Sequence, residues 1–145
     1  MEKHVEAVVE KSSSRTLKHA FYSNIFIVSR EGEVREAKPV KQTRVKPHYK
    51  RGNARKVLVE PPGDEDKVLV EAKFIKNIKG RVKGELIVYD STGTPVLKVV
   101  YRRLKVRRSW GDKNYAWAIE KLMDYLKLPV KRYNYDTGTT SAPRT

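Results

Sequence analysis

Hydrophobic and polar positions along the chain predict a run of strands followed by one helix. "AFYSNIFIVS" (Ala20–Ser29) is rich in aromatic and β-branched residues and reads as a strand, with Glu31-Gly32 as its turn. "KVLVE" (Lys56–Glu60) is a short strand, "PPGDED" (Pro61–Asp66) a turn, and "KVLVEAKFI" (Lys67–Ile75) an alternating strand. "ELIVYD" (Glu85–Asp90) and "PVLKVVYRRLKV" (Pro95–Val106) pair as a hairpin across Ser91–Thr94. In "YAWAIEKLMDYLKL" (Tyr115–Leu128) the apolar residues Tyr115, Ile119, Leu122, Met123 and Leu126 fall at helical spacing. Ser109 or Asp112 can cap that helix, and Pro129 ends it. Residues 2–10 are expected as a short helix with Val5, Val8 and Val9 on one side, broken by Ser12–Ser14. Val130–Tyr135 is expected to return as a strand, and Asp136–Thr145 to be a flexible polar tail. The pattern predicts an α/β domain over residues 1–135, a mixed, mostly antiparallel sheet with the C-terminal helix packed on one face.

Charge changes this picture more than composition does. The chain has 145 residues, 39% of them hydrophobic, enough for a single core. Against 17 acids stand 32 lysines and arginines, a formal net charge of +15. Such an excess opposes compaction by self-repulsion and points to a polyanionic partner. No run of about 18 apolar residues occurs, and no basic amphipathic helix with a large apolar face, so no membrane insertion is expected. The N-terminal "MEKHVEAVVEKSSSR" carries acids and no long apolar stretch, unlike a secretory signal. With no cysteine there is no disulfide, thiolate-bound zinc or iron–sulfur cluster. Many Lys, Arg and Glu with a single glutamine, Gln42, suit a hyperthermophile.

The positive charge is densest from Arg35 to Lys56. Arg35, Lys38, Lys41, Arg44, Lys46, Lys50, Arg51, Arg55 and Lys56 face one acid, Glu36, and Pro39, Pro47 and Gly52 interrupt the run. It reads as an extended loop or an edge strand. One reading is a solvated, like-charged segment. The other is a phosphate-contacting arm, with His48 and Tyr49 placed to pack on sugar or base.

A second motif spans "GRVKGELIVYDSTGTPVLKVVYRRLK" (Gly80–Lys105). Gly80-x-x-x-Gly84 leads into two strands joined by a turn, followed by a helix opened by Tyr115-Ala116 and closed by "LPVKRY" (Leu128–Tyr133). In order and spacing, the segment from Ile78 to Tyr135 resembles the RecB-like, PD-(D/E)xK exonucleases associated with CRISPR systems. In that family a Gly-x-x-Asp segment precedes a hydrophobic strand, the next strand ends in Glu-x-Lys, and a Gln-x-x-x-Tyr helix follows. The acids hold magnesium or manganese, which activates water and offsets charge on the phosphate. Here the metal-binding aspartate aligns with Lys83, Glu-x-Lys with Val100-x-Arg102, and the helix glutamine with Gly111. The family's iron–sulfur cysteines are missing as well. The resemblance therefore implies a RecB-like core without its active site. No catalytic residue, metal or cofactor is expected.

Strand alternation gives the former catalytic face a new character. Lys98, Val100, Arg102 and Leu104 share one side, with Lys83 on the neighbouring strand; Leu97, Val99 and Tyr101 share the core side. Arg103, Lys105, Arg107 and Arg108 extend the basic surface towards the helix. A rival Glu-x-Lys, Glu71-Ala72-Lys73, lies near Asp66. Five residues along one strand put Asp66 and Glu71 roughly 16 Å apart, too far to share a metal, so Glu71 reads as part of an ordinary polar strand face. Trp117 is expected in the core or between subunits, and Trp110 either packs or stacks on a base. His4, His19 and His48 lack metal-ligand spacing.

The chain also resembles the nucleocapsid proteins of filamentous viruses of hyperthermophilic archaea, the tristromaviruses, which look like such an exonuclease without its active site. That resemblance implies a virion structural protein, in the host cytoplasm during assembly, that coats linear double-stranded DNA without sequence preference. It implies self-association into an oligomer or filament, and allows for a second capsid protein. Two alternatives remain open: a non-viral archaeal chromatin or single-strand-binding protein, and an active metal-dependent nuclease with relocated acids.

Overall fold

The computed structural model describes residues 4–12, 19–47, 52–77, 79–103 and 105–128. The strands are β1 (Val5–Ser12), β2 (His19–Ser29), β3 (Val34–Glu36), β4 (Pro39–Val45) and β5 (Gly52–Val59). They continue with β6 (Lys67–Asn77), β7 (Val82–Tyr89), β8 (Pro95–Arg102) and β9 (Lys105–Gly111). A 3-10 turn (Lys113–Tyr115) leads into the helix α1 (Ala116–Tyr125). The sheet order is β4-β5-β1-β2-β6-β7-β8-β9, with β3 paired to β2. The architecture is a mostly antiparallel sheet with one C-terminal helix. Every pairing among the described residues is antiparallel, so they contain no parallel component of the expected mixed sheet.

The long pair β2–β6 is buried from both sides. On one face Phe26, Val70, Leu86 and Val99 pack with Ile119 and Leu122 of α1. On the other, Ile25 and Leu69 pack with Val5, Ala7, Val57 and Val59 of a wing made by β1, β5 and β4. Double coverage explains why β6 does not alternate as expected: Val68 to Ala72 are all buried. The wing departs at Ser23. β1 pairs with Phe21–Ser23, and β3 takes over the same edge at Phe26–Val28. At the departure point the Ser23 hydroxyl donates to the Val8 carbonyl (3.0 Å) and accepts from the Glu10 N–H (2.7 Å), in place of ladder bonds.

The first element is a strand where a helix was expected. Val5 and Ala7 are buried while Glu6 and Val8 are exposed, a period of two. Nine residues make a marginal helix in water, whereas eight registered pairs with β5 satisfy this β-branched backbone. Pro95–Val106 is likewise two strands, because the chain reverses at Arg103, whose φ is 54°. No Gly, Asn or Pro marks that reversal, and arginine seldom adopts a left-handed backbone. Ser109 lies buried within β9, away from the helix start. Asp112 instead caps the 3-10 turn, accepting from the Asn114 N–H (2.9 Å). The helix is shorter than Tyr115–Leu128 but buries Ile119, Leu122 and Met123 as expected. The edge-strand reading of the basic segment holds for β4, whose Val40–Arg44 are exposed. The expected strand Val130–Tyr135, the tail 136–145, residues 48–51 and Leu104 lie outside the described residues.

Gly84 faces Tyr101 across β7–β8, and a Cβ there would run into the fully buried phenol ring. Gly84→Ala should cost about 1–3 kcal/mol by overpacking. Urea unfolding should show a smaller cost in a Tyr101→Leu background, where the ring is gone; equal costs would mean that the ring is not the obstacle.

Candidate nucleic-acid interface

The side of β7, β8 and β9 that faces away from α1 gathers most of the second basic segment. Cross-strand register sets Lys83 opposite Arg102, Glu85 opposite Val100, and Ile87 opposite Lys98. It then sets Lys98 opposite Trp110, Val100 opposite Arg108, and Arg102 opposite Lys105. The expectation that Lys83, Lys98 and Arg102 share this side therefore holds, as does the core placement of Leu97, Val99 and Tyr101. A register shift between Val100 and Tyr101 adds a residue to β9. Val106 and Ser109, three apart, are consequently both buried, and Arg107 and Arg108 between them are both exposed.

Glu85 changes the electrostatics expected of this face. It forms an ion pair with Lys98 (3.2 Å), and the Lys98 ammonium also sits 5.3 Å from the Trp110 ring centroid. Lys98 is thus largely compensated. Among the described residues, Lys83, Arg102, Arg103, Lys105, Arg107 and Arg108 enter none of the ion pairs, which join Lys56 to Glu6, Lys73 to Glu71 and Lys98 to Glu85. Trp110 is 40% exposed beside these cations.

The wing divides the other basic segment between two sides. Arg44 and Arg55 lie directly opposite each other on the side that lines a cleft of about 400 Å³ between the wing and β2–β3. Lys41 and Lys56 are on the reverse side, where Lys56 is paired with Glu6 at 2.8 Å. Lys38 and Lys46 are exposed in the segments flanking β4. Lys50 and Arg51, with His48 and Tyr49, lie outside the described residues. Lys11, which no sequence motif singled out, lines the same cleft as Arg55. Arg81 was also passed over, although it stands two residues before Lys83 and the period of two was enough to place it on the same side.

The two rival carboxylates stand in different settings. Glu71 is not on an ordinary polar face: it is 6% exposed, accepts from the Tyr89 hydroxyl at 2.9 Å and lies 3.4 Å from the Lys73 ammonium. Asp66 belongs to the turn before β6, where its N–H donates to Asp64 Oδ1 (3.0 Å). Among the described residues no three His, Asp or Glu side chains gather as a metal site. Gly111, aligned with the family's glutamine, has φ +104°, and a Cβ there would collide with the Val96 carbonyl oxygen. A glutamine side chain could not occupy that position in this backbone. Trp117 is half-buried against the core with the Arg30 guanidinium 4.8 Å from its ring centroid, as the core reading expects.

Comparison with protein-family models, curated proteins and solved structures finds no match to this chain.

Burial, and then the adjacent Glu71 carboxylate, push the Tyr89 phenol well above its ordinary value. The folded state therefore holds that proton more tightly than the unfolded chain. Its stabilising contribution is complete below about pH 10 and is lost as pH rises through the folded-state value. Urea midpoints at pH 9 and pH 11 should fall more steeply for the wild type than for Tyr89→Phe. Part of the fall should persist in the variant, because burial also raises Tyr22. Identical pH dependence in the two proteins would remove the Tyr89–Glu71 bond from this account.

Proposed function

We propose that the protein coats nucleic acid, most simply linear double-stranded DNA, through phosphate contacts and without catalysis. The observation that carries the reading is the row of Lys83, Arg102, Lys105, Arg107 and Arg108 along one sheet face, none of them ion-paired among the described residues. Lysines and arginines spaced along strands meet a regular polyanion without reading its bases. The resemblance to RecB-like nucleases extends the proposal to descent from an inactivated nuclease. The positions that would carry acids, Lys83 and Val100, fall on this same face, and the carboxylate opposite Val100, Glu85, is held by Lys98. With it comes a nucleocapsid role in the virion of a filamentous archaeal virus. Such a role requires self-association. β4 and β9 end the sheet, each with one paired side among the described residues, and a β4-to-β9 contact between copies would be heterologous and open-ended.

Trp110 supports a second reading, a single-strand-binding or chromatin protein. An exposed indole next to Lys98 and Arg108 makes a stacking platform, and a closed duplex offers it few free base faces.

Duplex affinity should fall linearly on a log–log salt plot with a slope of about −0.9 per phosphate contact, and equal-length sequences should bind alike. Arg102→Glu/Arg108→Glu should flatten the slope more than Arg44→Glu/Arg55→Glu. If the wing variant alone loses DNA, the nuclease-like face is ancestry only. A single strand that outcompetes duplex, with the advantage lost in Trp110→Ala, would favour the second reading. Magnesium or manganese should produce no cleavage above background. EDTA-sensitive cleavage abolished by Glu71→Gln or Asp66→Asn would overturn the non-catalytic reading.

A further inference from the structure

At one end of this face the β6–β7 and β8–β9 reversals come together around a cavity of about 220 Å³. Ile75 and Val82 supply its apolar wall, and Asn77, Arg81, Lys83, Arg102 and Arg103 supply its polar groups. None of these four cations is ion-paired among the described residues. The Asn77 Oδ1 is already used, accepting from the N–H groups of Lys79 (3.0 Å) and Arg81 (2.9 Å), so its amide presents only N–H donors. Every polar side-chain group left to serve a ligand here is a donor, and four of the five are charged.

Backbone bonds hold the cavity's shape. The Asn77 N–H donates to Arg81 O (3.0 Å), and Gly80 N–H to Asn77 O (2.9 Å). The Arg103 N–H donates to Val82 O (2.8 Å) and ties the two reversals together, with Arg103 in the left-handed conformation. Clustering like charges on fixed turns is unfavourable unless an anion joins them. The flat part of the face spreads its cations along strands, whereas at this concave end four of them border one volume. Guanidinium forks pair bidentately with phosphate oxygens, and the nucleic-acid reading above makes phosphate the anion at hand.

We infer that this hairpin-end cavity is a phosphate-binding site. Its ligand is a phosphate group, either a phosphodiester of a nucleic-acid backbone or a phosphate monoester at a strand end or free in solution. The cavity anchors one phosphate per subunit while the neighbouring row engages others more diffusely; this last step rests on the nucleic-acid reading above.

The test uses the full chain and inorganic phosphate. At matched ionic strength, phosphate should raise the melting temperature saturably relative to chloride. It should also shift the amide signals of Arg81 and Arg103 and the Asn77 side-chain NH₂ in a ¹H–¹⁵N spectrum. Arg81→Gln/Arg103→Gly, which keeps the left-handed turn possible, should lose the thermal effect and reduce the duplex salt slope by about 0.9. Duplexes with 5′-phosphate and 5′-hydroxyl ends separate the two sources: equal affinity assigns the backbone, and a preference for the phosphorylated end that the variant loses assigns the monoester. The site is overturned if phosphate acts no differently from chloride and moves no cavity signal, even with DNA binding intact. It is also overturned if a folded variant responds to phosphate as the wild type does. Phosphate binding without DNA binding upholds the site and removes the nucleic-acid reading. The spectrum of the wild type alone decides the case if the variant does not fold.

Discussion

The β2–β6 pair is the constraint on which the rest of the molecule depends. It is registered over eleven residue pairs, from His19 opposite Asn77 to Ser29 opposite Lys67. Its side chains are covered by α1 on one face and by the β1–β5 wing on the other. A centre dry on both faces admits almost no charge: Glu71 is there only because Tyr89 and Lys73 complete it. Among the described residues the exposed cations Lys41, Arg44, Arg102, Lys105, Arg107 and Arg108 lie away from that centre, on β4, β8 and β9. The segregation of charge follows from the way the core is sealed.

The acids do little to neutralise what is displaced. Several carboxylates are engaged in shaping turns. Asp90 Oδ1 accepts from the Thr92 (2.9 Å) and Thr94 (3.0 Å) N–H groups, Asp64 Oδ1 from Asp66 N–H (3.0 Å), and Asp112 Oδ1 from Asn114 N–H (2.9 Å). Such bonds favour chain reversal and leave the basic face alone. On that face Glu85 compensates Lys98 and fixes Trp110 beside it through the same ammonium. Arg102, Arg107 and Arg108 are left facing solvent.

What could be read from the sequence was what local chemistry determines. Alternation in Leu97 to Arg102 assigned the two sides of β8, and helical spacing found Ile119, Leu122 and Met123. Other features stayed hidden. Val5 and Ala7 become strand residues because β5, some fifty positions away, supplies their partners. Val68 to Ala72 lose their alternation because a wing covers their second face. The reversal at Arg103 has no turn residue of its own, and the bulge at Arg107–Arg108 alters the period within a run too short to reveal it. The site was legible as a set of charges. The cavity at the hairpin ends was not, because it needs two reversals from different hairpins at one place.

The same segregation bears on assembly. Both terminal strands are basic: β4 carries Lys41 and Arg44, and β9 carries Lys105, Arg107 and Arg108. Free strand edges otherwise invite pairing between copies, and lysine or arginine along an edge is a common way to prevent it. A head-to-tail contact between β4 and β9, as the proposed role requires, would set cations against cations. A polyanion lying along the sheet lowers that repulsion locally, and adjacent subunits on one strand meet at high effective concentration. In the proposed role, binding and polymerisation thus become a single event, with the nucleic acid supplying the negative charge that the subunit interface lacks. The excess charge that destabilises a lone subunit is then what confines assembly to the template.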